Sequence, residues 1–164
     1  MQKHLFDTYA PTMKGVCISY AKDNGEAVEM LQTGFIKIFK KLDKFRFEGP
    51  LGAWIRRTIV YNCLDIIKKR QRFKEEEISD YECEFYIESD NDLNQLFSEE
   101  IILDVIRSIP EQFRTVFNLN CIEGYNHKEI SNQLDISEAN SRARLKRARV
   151  MIKSKLELIE STQF

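Results

Sequence analysis

Residues 126–149 read Asn126-His127-Lys128-Glu129-Ile130-Ser131-Asn132-Gln133-Leu134-Asp135-Ile136-Ser137-Glu138-Ala139-Asn140-Ser141-Arg142-Ala143-Arg144-Leu145-Lys146-Arg147-Ala148-Arg149. Asn126 is a good helix cap, and Glu129, three residues on, can bond back to the cap backbone. The helix that follows is short and carries Ile130 and Leu134. Asp135-Ile136-Ser137 predicts a tight turn, with Ser137 capping the next helix. That helix places Leu145, Ala148, Ile152, Leu156 and Ile159 at spacings of three and four, one buried face. A short helix, a tight turn and a longer helix outline a helix-turn-helix.

The second helix is loaded with cations: Arg142, Arg144, Lys146, Arg147, Arg149 and Lys153, with no acid from Asn140 to Lys155. At about 100° per residue, Arg142, Lys146, Arg149 and Lys153 form one stripe beside the apolar face. Arg144 falls on the other flank, and Arg147 is expected to point away from the core. An uncompensated run of cations suits a polyanion. Asn140, Ser141, Arg142 and Arg144 are the candidates for base edges, because Asn and Arg form paired hydrogen bonds to adenine and guanine. Lys146 and Arg147 are assigned to phosphates. A solvated amphipathic helix could show the same charges, but the capped short helix, the turn and the acid-free run together favour DNA.

The chain before this motif is also helical. Ile101, Ile102, Val105 and Ile106 lead to Pro110, and Phe113, Val116, Phe117 and Leu119 make a second stripe ended by Gly124. In the first block, Phe6, Tyr9, Met13, Val16, Cys17 and Tyr20 share a face, broken at Asp23-Asn24-Gly25. Val28, Leu31, Phe35, Ile38, Phe39 and Leu42 repeat the pattern. After a loop from Asp43 to Gly49, Pro50 suits the first turn of a third helix with Leu51, Trp54, Ile55, Ile59 and Ile66 as apolar positions. Three such helices can bury a small core. The expected fold class is all-α: two small helical domains, 1–72 and 98–164, joined by an acidic linker at 73–97, the C-terminal domain being the helix-turn-helix.

Of the 164 residues, 25 are Lys or Arg and 26 Asp or Glu, and a net charge of −1 is a poor advertisement for a nucleic-acid partner. The average conceals a division. Residues 1–72 hold 14 cations and 7 acids, net +7; residues 73–103 hold one cation and 11 acids, net −10; residues 104–164 hold 10 cations and 8 acids, net +2. The acidic stretch is too densely charged to pack, so it reads as a solvated linker, although Tyr81, Phe85 and Tyr86 are unusual in a spacer.

Several classes are disfavoured. Cys17, Cys63, Cys83 and Cys121 form no CxxC pair, and with only His4 and His127 besides, no metal site or cofactor is expected. GxGxxG, Walker and GxSxG patterns are absent, and so is any tight carboxylate or histidine cluster, so the chain is not expected to be an enzyme. No apolar run nears the roughly 18 residues of a membrane span, and Met1-Gln2-Lys3-His4-Leu5 opens no signal peptide. A cytoplasmic protein without membrane insertion is the expectation.

Two sets of motifs, in order, carry a family resemblance. Phe113 to Phe117, Ile122-Glu123-Gly124-Tyr125-Asn126-His127-Lys128-Glu129-Ile130, Ile136-Ser137-Glu138 and Arg144-Leu145-Lys146-Arg147-Ala148-Arg149 resemble the C-terminal domain of bacterial extracytoplasmic-function sigma factors. Glu29 to Phe39, Phe45-Arg46-Phe47-Glu48-Gly49, Trp54-Ile55-Arg56-Arg57 and Asp65 resemble the N-terminal domain. The resemblance implies a subunit that joins core RNA polymerase and directs it to promoter DNA, with an anti-sigma factor as a further partner.

It also implies roles. Glu29, Gln32 and Phe35 match the surface that docks on the polymerase clamp, whereas Leu31, Ile38 and Phe39 are assigned mainly to packing. Opening the minus-ten element needs a base out of the stack, and aromatics to hold it. The matching loop carries Phe45, Arg46 and Phe47; Trp54, Arg56, Arg57 and Tyr61 follow on the third helix. Trp54 reads first as a core anchor and second as a base contact, and Arg56 and Arg57 suit phosphates. Lys68, Lys69, Arg70 and Arg72 either track the strand or form a plain charged helix end. The C-terminal helix would read the minus-thirty-five element, and the linker would thread acidic residues near the polymerase channels. The chain departs from the family pattern at Thr33, where an acid is usual, at Tyr61, where Asn is usual and Asn62 follows instead, and at Ala139 and Asn140. The alternative is a stand-alone helix-turn-helix transcriptional regulator whose N-terminal helices serve dimerisation.

Overall fold

The computed structural model describes residues 1–72 and 97–162. These fall in two compact units, each all-helical among the described residues. The acidic-linker expectation, with Tyr81, Cys83, Phe85 and Tyr86, lies outside the described residues apart from Phe97.

The first unit holds three helices: α1 (Gln2–Tyr20), α2 (Asn24–Lys41) and α3 (Leu51–Arg72). Each packs on the other two. Asp23 caps α2 by accepting the Glu26 amide at 2.8 Å. A 3-10 turn at Leu42–Lys44 ends α2, and α3 opens at Leu51, one residue beyond Pro50, whose carbonyl accepts the Trp54 N–H at 3.3 Å. The core is Met13, Val16, Cys17 and Tyr20 from α1, Met30, Phe35 and Ile38 from α2, and Ile55, Ile59, Val60, Leu64 and Ile67 from α3. Gly34 permits the α2–α3 approach: a Cβ there would stand 2.5 Å from Ile59 Cδ1.

Two polar ties reinforce this packing. Asn62, buried on α3, donates to the Met30 carbonyl at 2.9 Å and the Thr33 hydroxyl at 2.8 Å. Thr33, noted above as a departure, and Asn62, which follows the departure at Tyr61, therefore meet across the helix pair. Glu26 accepts from Arg70 Nε at 2.8 Å and Nη2 at 3.1 Å, and also from the Lys22 amide at 2.7 Å. Arg70 is thus folded back onto the start of α2 rather than extended as part of an outer positive surface.

The second unit holds α4 (Glu99–Ser108), α5 (Glu111–Phe117), α6 (His127–Leu134) and α7 (Glu138–Thr162). Ser98 caps α4 through the Ile101 amide. A π-turn at Asn118–Ile122 extends α5, and Gly124 leaves it at φ +80°, a conformation glycine adopts without strain. Val105, Ile106, Ile109, Phe113, Ala148, Ile152 and Leu156 make its core. Arg114 is buried and ties α5 to α4 by donating from Nη1 to the Arg107 carbonyl at 2.9 Å.

Candidate nucleic-acid interface

α6 begins with the reciprocal cap expected from its sequence. The Glu129 amide donates to Asn126 Oδ1 at 2.8 Å, and the Asn126 amide donates to Glu129 Oε2 at 2.8 Å. Asp135 ends the helix in the left-handed region at φ 54°, which Asp tolerates better than most side chains. Ser137 then caps α7 by accepting the Asn140 amide at 3.0 Å. The turn therefore redirects the chain within three residues and presents the first turns of α7 at the surface.

In those turns Asn140, Arg142 and Lys146 are exposed and Arg144 is half-buried. Arg144 Nε donates to Asn140 Oδ1 at 3.0 Å, so the two form one pre-oriented group. Partial burial draws the Arg144 guanidinium below its ordinary pKa. Arg142 lies 3.6 Å from Glu138, a surface pair too exposed to hold it firmly.

Two expectations for this helix need correction. Ser141 is wholly buried, and its hydroxyl is 2.8 Å from His127 Nδ1, so it faces inward and does not reach base edges. Arg147 does not point away from the core: it is half-buried, and its guanidinium carbon stands 5.7 Å from the centre of the Phe113 ring. Its charge is still carried at the rim of the basic face.

In the first unit, a cleft of about 420 Å³ opens between the 44–50 loop and α3. Lys44, Phe45, Arg46 and Pro50 line one side; Ala53, Trp54 and Arg57 line the other. Glu48 and Gly49 complete the lining, and the cleft is open to solvent on one side. Phe45 lies 5.3 Å from Trp54 and 4.9 Å from Phe47, ring centre to ring centre. Phe47 is 86% exposed with φ 55°, an unusual conformation for a bulky residue and an exposure that nothing in a core requires. Trp54 is half-buried, packs against Phe45 of the loop and walls the cleft. Arg57 donates to the Tyr61 hydroxyl at 3.0 Å and lies over its ring, and Arg56 is half-buried.

On α2, Glu29 and Gln32 are exposed. Phe35 is not: it is 2% exposed, edge-on to Phe6 with ring centres 4.8 Å apart, and belongs to the core. Its place outside is taken by two residues that apolar type alone would send to the core. Val28 is 43% and Ile36 52% exposed, and with Gln32 they recur every fourth residue along one face. Val28 is thereby corrected from a member of the apolar stripe to an exposed residue at its edge, whereas Ile36 falls outside the stripe through Leu31, Phe35 and Ile38 by spacing alone.

Among the described residues no group of His, Cys, Asp and Glu is placed to hold a metal ion, and no helix is long and apolar enough to cross a membrane.

The described residues thus form a protein of two all-helical units. Residues 5–73 match the family model Sigma-70 region 2, and residues 99–152 match Sigma-70, region 4. The chain belongs to the extracytoplasmic-function (ECF) family of RNA polymerase sigma factors. It is similar to the ECF RNA polymerase sigma-E factor of Haemophilus influenzae, 25% identical over 163 residues covering 93% of this chain and 86% of that one. It is likewise similar to the ECF RNA polymerase sigma-E factor of Escherichia coli K12, 27% identical over 144 residues covering 82% of this chain and 75% of that one. In fold it resembles the sigma factor RpoE crystallised with the anti-sigma factor NepR from Bartonella quintana, with a TM-score of 0.56 at 17% identity, over 94% of this chain and 96% of that one.

Proposed function

We propose that this sigma factor directs promoter-specific initiation by dividing three tasks among the surfaces described above. The outer face of α2, with Val28, Glu29, Gln32 and Ile36, docks on core RNA polymerase. Two exposed apolar side chains framed by polar ones suit a protein partner. The cleft beside Trp54 takes a base extruded from the minus-ten element, with Phe45 and Phe47 supplying stacking surface and Arg46, Arg56 and Arg57 supplying charge to the strand. α6, its turn and α7 act as a helix-turn-helix. Asn140, Arg142 and Arg144 read the minus-thirty-five element, while Lys146, Arg147 and Arg149 meet phosphates.

The observation that carries this reading is Phe47. A phenylalanine held at positive φ and 86% exposed beside the cleft keeps a ring contact with Phe45 alone among the ring contacts described, and most of its surface is left to solvent. A nucleobase would cover it. The stand-alone regulator is not retained, because the N-terminal domain matches a sigma region rather than a dimerisation module. The acidic segment at 73–97 is proposed to join the two domains without binding DNA. An anti-sigma factor is proposed to cover one or both surfaces in the inactive state; the similarly folded RpoE of Bartonella quintana forms a complex with its anti-sigma factor NepR.

The test is permanganate probing of promoter DNA with core polymerase and the chain. Reactive thymines in the minus-ten region, lost in Phe47→Ala with polymerase binding intact, support the proposal. Normal melting by Phe47→Ala sinks the role given to the cleft.

A further inference from the structure

The buried stripe of α7 is Ser141, Leu145, Ala148, Ile152 and Leu156, and Ser141 is its only polar member. Its hydroxyl is wholly enclosed, and His127 Nδ1, at 2.8 Å, is its one hydrogen-bond partner among the described residues. His127 is the first residue of α6, and Ser141 is the fourth of α7. The bond therefore joins the start of one helix to the opening turn of the other. Elsewhere this helix pair is held by the 135–137 turn and by packing around residues such as Ile130 and Leu145.

Packing and hydrogen bonding constrain a helix differently. Close packing limits rotation by steric fit, whereas a hydrogen bond adds a directional constraint that weakens steeply with distance and angle. Turning α7 by about 20° about its own axis moves a hydroxyl roughly 4 Å from that axis by about 1.4 Å, enough to break the bond. The same turn swings a guanidinium roughly 8 Å out by about 3 Å, close to the 3.4 Å step between bases. A rotation of that size is thus enough to move Arg142 by about one base step, and the hydrogen bond opposes it together with the packing.

The geometry points to His127 and Ser141 as a positioning pair that fixes the rotation of α7 and so determines which base edges Asn140, Arg142 and Arg144 address. Neither residue needs to touch DNA. The inference rests on the proposed reading of α7 as the base-contacting helix, and its test separates the two.

The full-length chain is assayed with core polymerase on two probes: duplexes selected from a randomised upstream library by the wild-type holoenzyme, and random duplexes. The readout is the ratio of the two affinities, taken at a temperature where circular dichroism shows each variant folded. Ser141→Ala and His127→Ala are each expected to lower the ratio about fivefold or more while leaving random-DNA affinity unchanged, and the double variant to lose no more than either single one. His127→Asn, which sets an amide nitrogen where Nδ1 stood, is expected to keep the ratio within about twofold of wild type. An unchanged ratio in folded His127→Ala, an equal loss on both probes, or a failure of His127→Asn to rescue would each overturn the inference. If Ser141→Ala unfolds, the two His127 variants decide alone. Arg142→Ala serves as the control: if it loses the ratio while the pair variants do not, the inference falls and the base-reading helix stands; if it keeps the ratio, both fall.

Discussion

Arg70→Ala separates a structural cation from a DNA-binding one. In sequence, Arg70 sits in a basic run, Lys68-Lys69-Arg70-Gln71-Arg72, that suits a nucleic-acid strand. In the fold its side chain is only 16% exposed and makes a two-pronged contact with Glu26, whose side chain is 6% exposed. Removing one partner of a buried pair costs about 3–5 kcal/mol, because the other charge is left without compensation. Here the Lys22 amide still donates to Glu26, which reduces the expected loss to about 2–4 kcal/mol. A domain of this size shifts its midpoint by about 4–8 °C per kcal/mol, so a fall of roughly 8–32 °C is expected. The chain's single tryptophan, Trp54, lies in this domain, so its fluorescence follows unfolding there without interference from the C-terminal domain. Affinity for single-stranded DNA, measured well below the new midpoint, should stay near wild type. A midpoint shift below about 3 °C with a clear loss of DNA affinity would refute the reasoning and return Arg70 to the outer surface.

Other substitutions divide the remaining roles. Phe35→Ala should destabilise the N-terminal domain by about 3–5 kcal/mol in urea titration, whereas Ile36→Ala should leave stability within about 0.5 kcal/mol and weaken capture of core polymerase in a pull-down. Phe47→Gly relieves a positive φ and should hold or raise the Trp54 midpoint, yet cost about 1–3 kcal/mol in binding of single-stranded minus-ten DNA. Arg142→Ala should cost about 1–3 kcal/mol on the selected duplex and little on random DNA; equal losses would make it a phosphate contact. Binding of duplex DNA by the holoenzyme should fall steeply between low and moderate salt, and a flat titration would contradict a basic α7 face.

The helices are largely legible from apolar spacing, and the α6 cap is legible in full, since Asn126 and Glu129 act within four residues of each other. The corrected positions show where such reading runs short. Ser141 reads outward on chemical type and Phe35 on the family resemblance, yet each lies on the apolar stripe of its own helix, Phe35 between Leu31 and Ile38 and Ser141 four residues before Leu145. Spacing already holds the answer at both positions. Arg70 and Arg147 differ, because their partners Glu26 and Phe113 lie 44 and 34 residues away and no local period reveals them. The cleft is half legible: the aromatics are visible in sequence, but the positive φ that turns Phe47 outward is not.

Run-off transcription by core polymerase on a genomic promoter library, with and without this chain, tests the central claim most directly. The expected result is a discrete set of start sites that appears only with the chain, each preceded by shared minus-ten and minus-thirty-five sequences. A chain that binds duplex DNA but creates no new start site would contradict it.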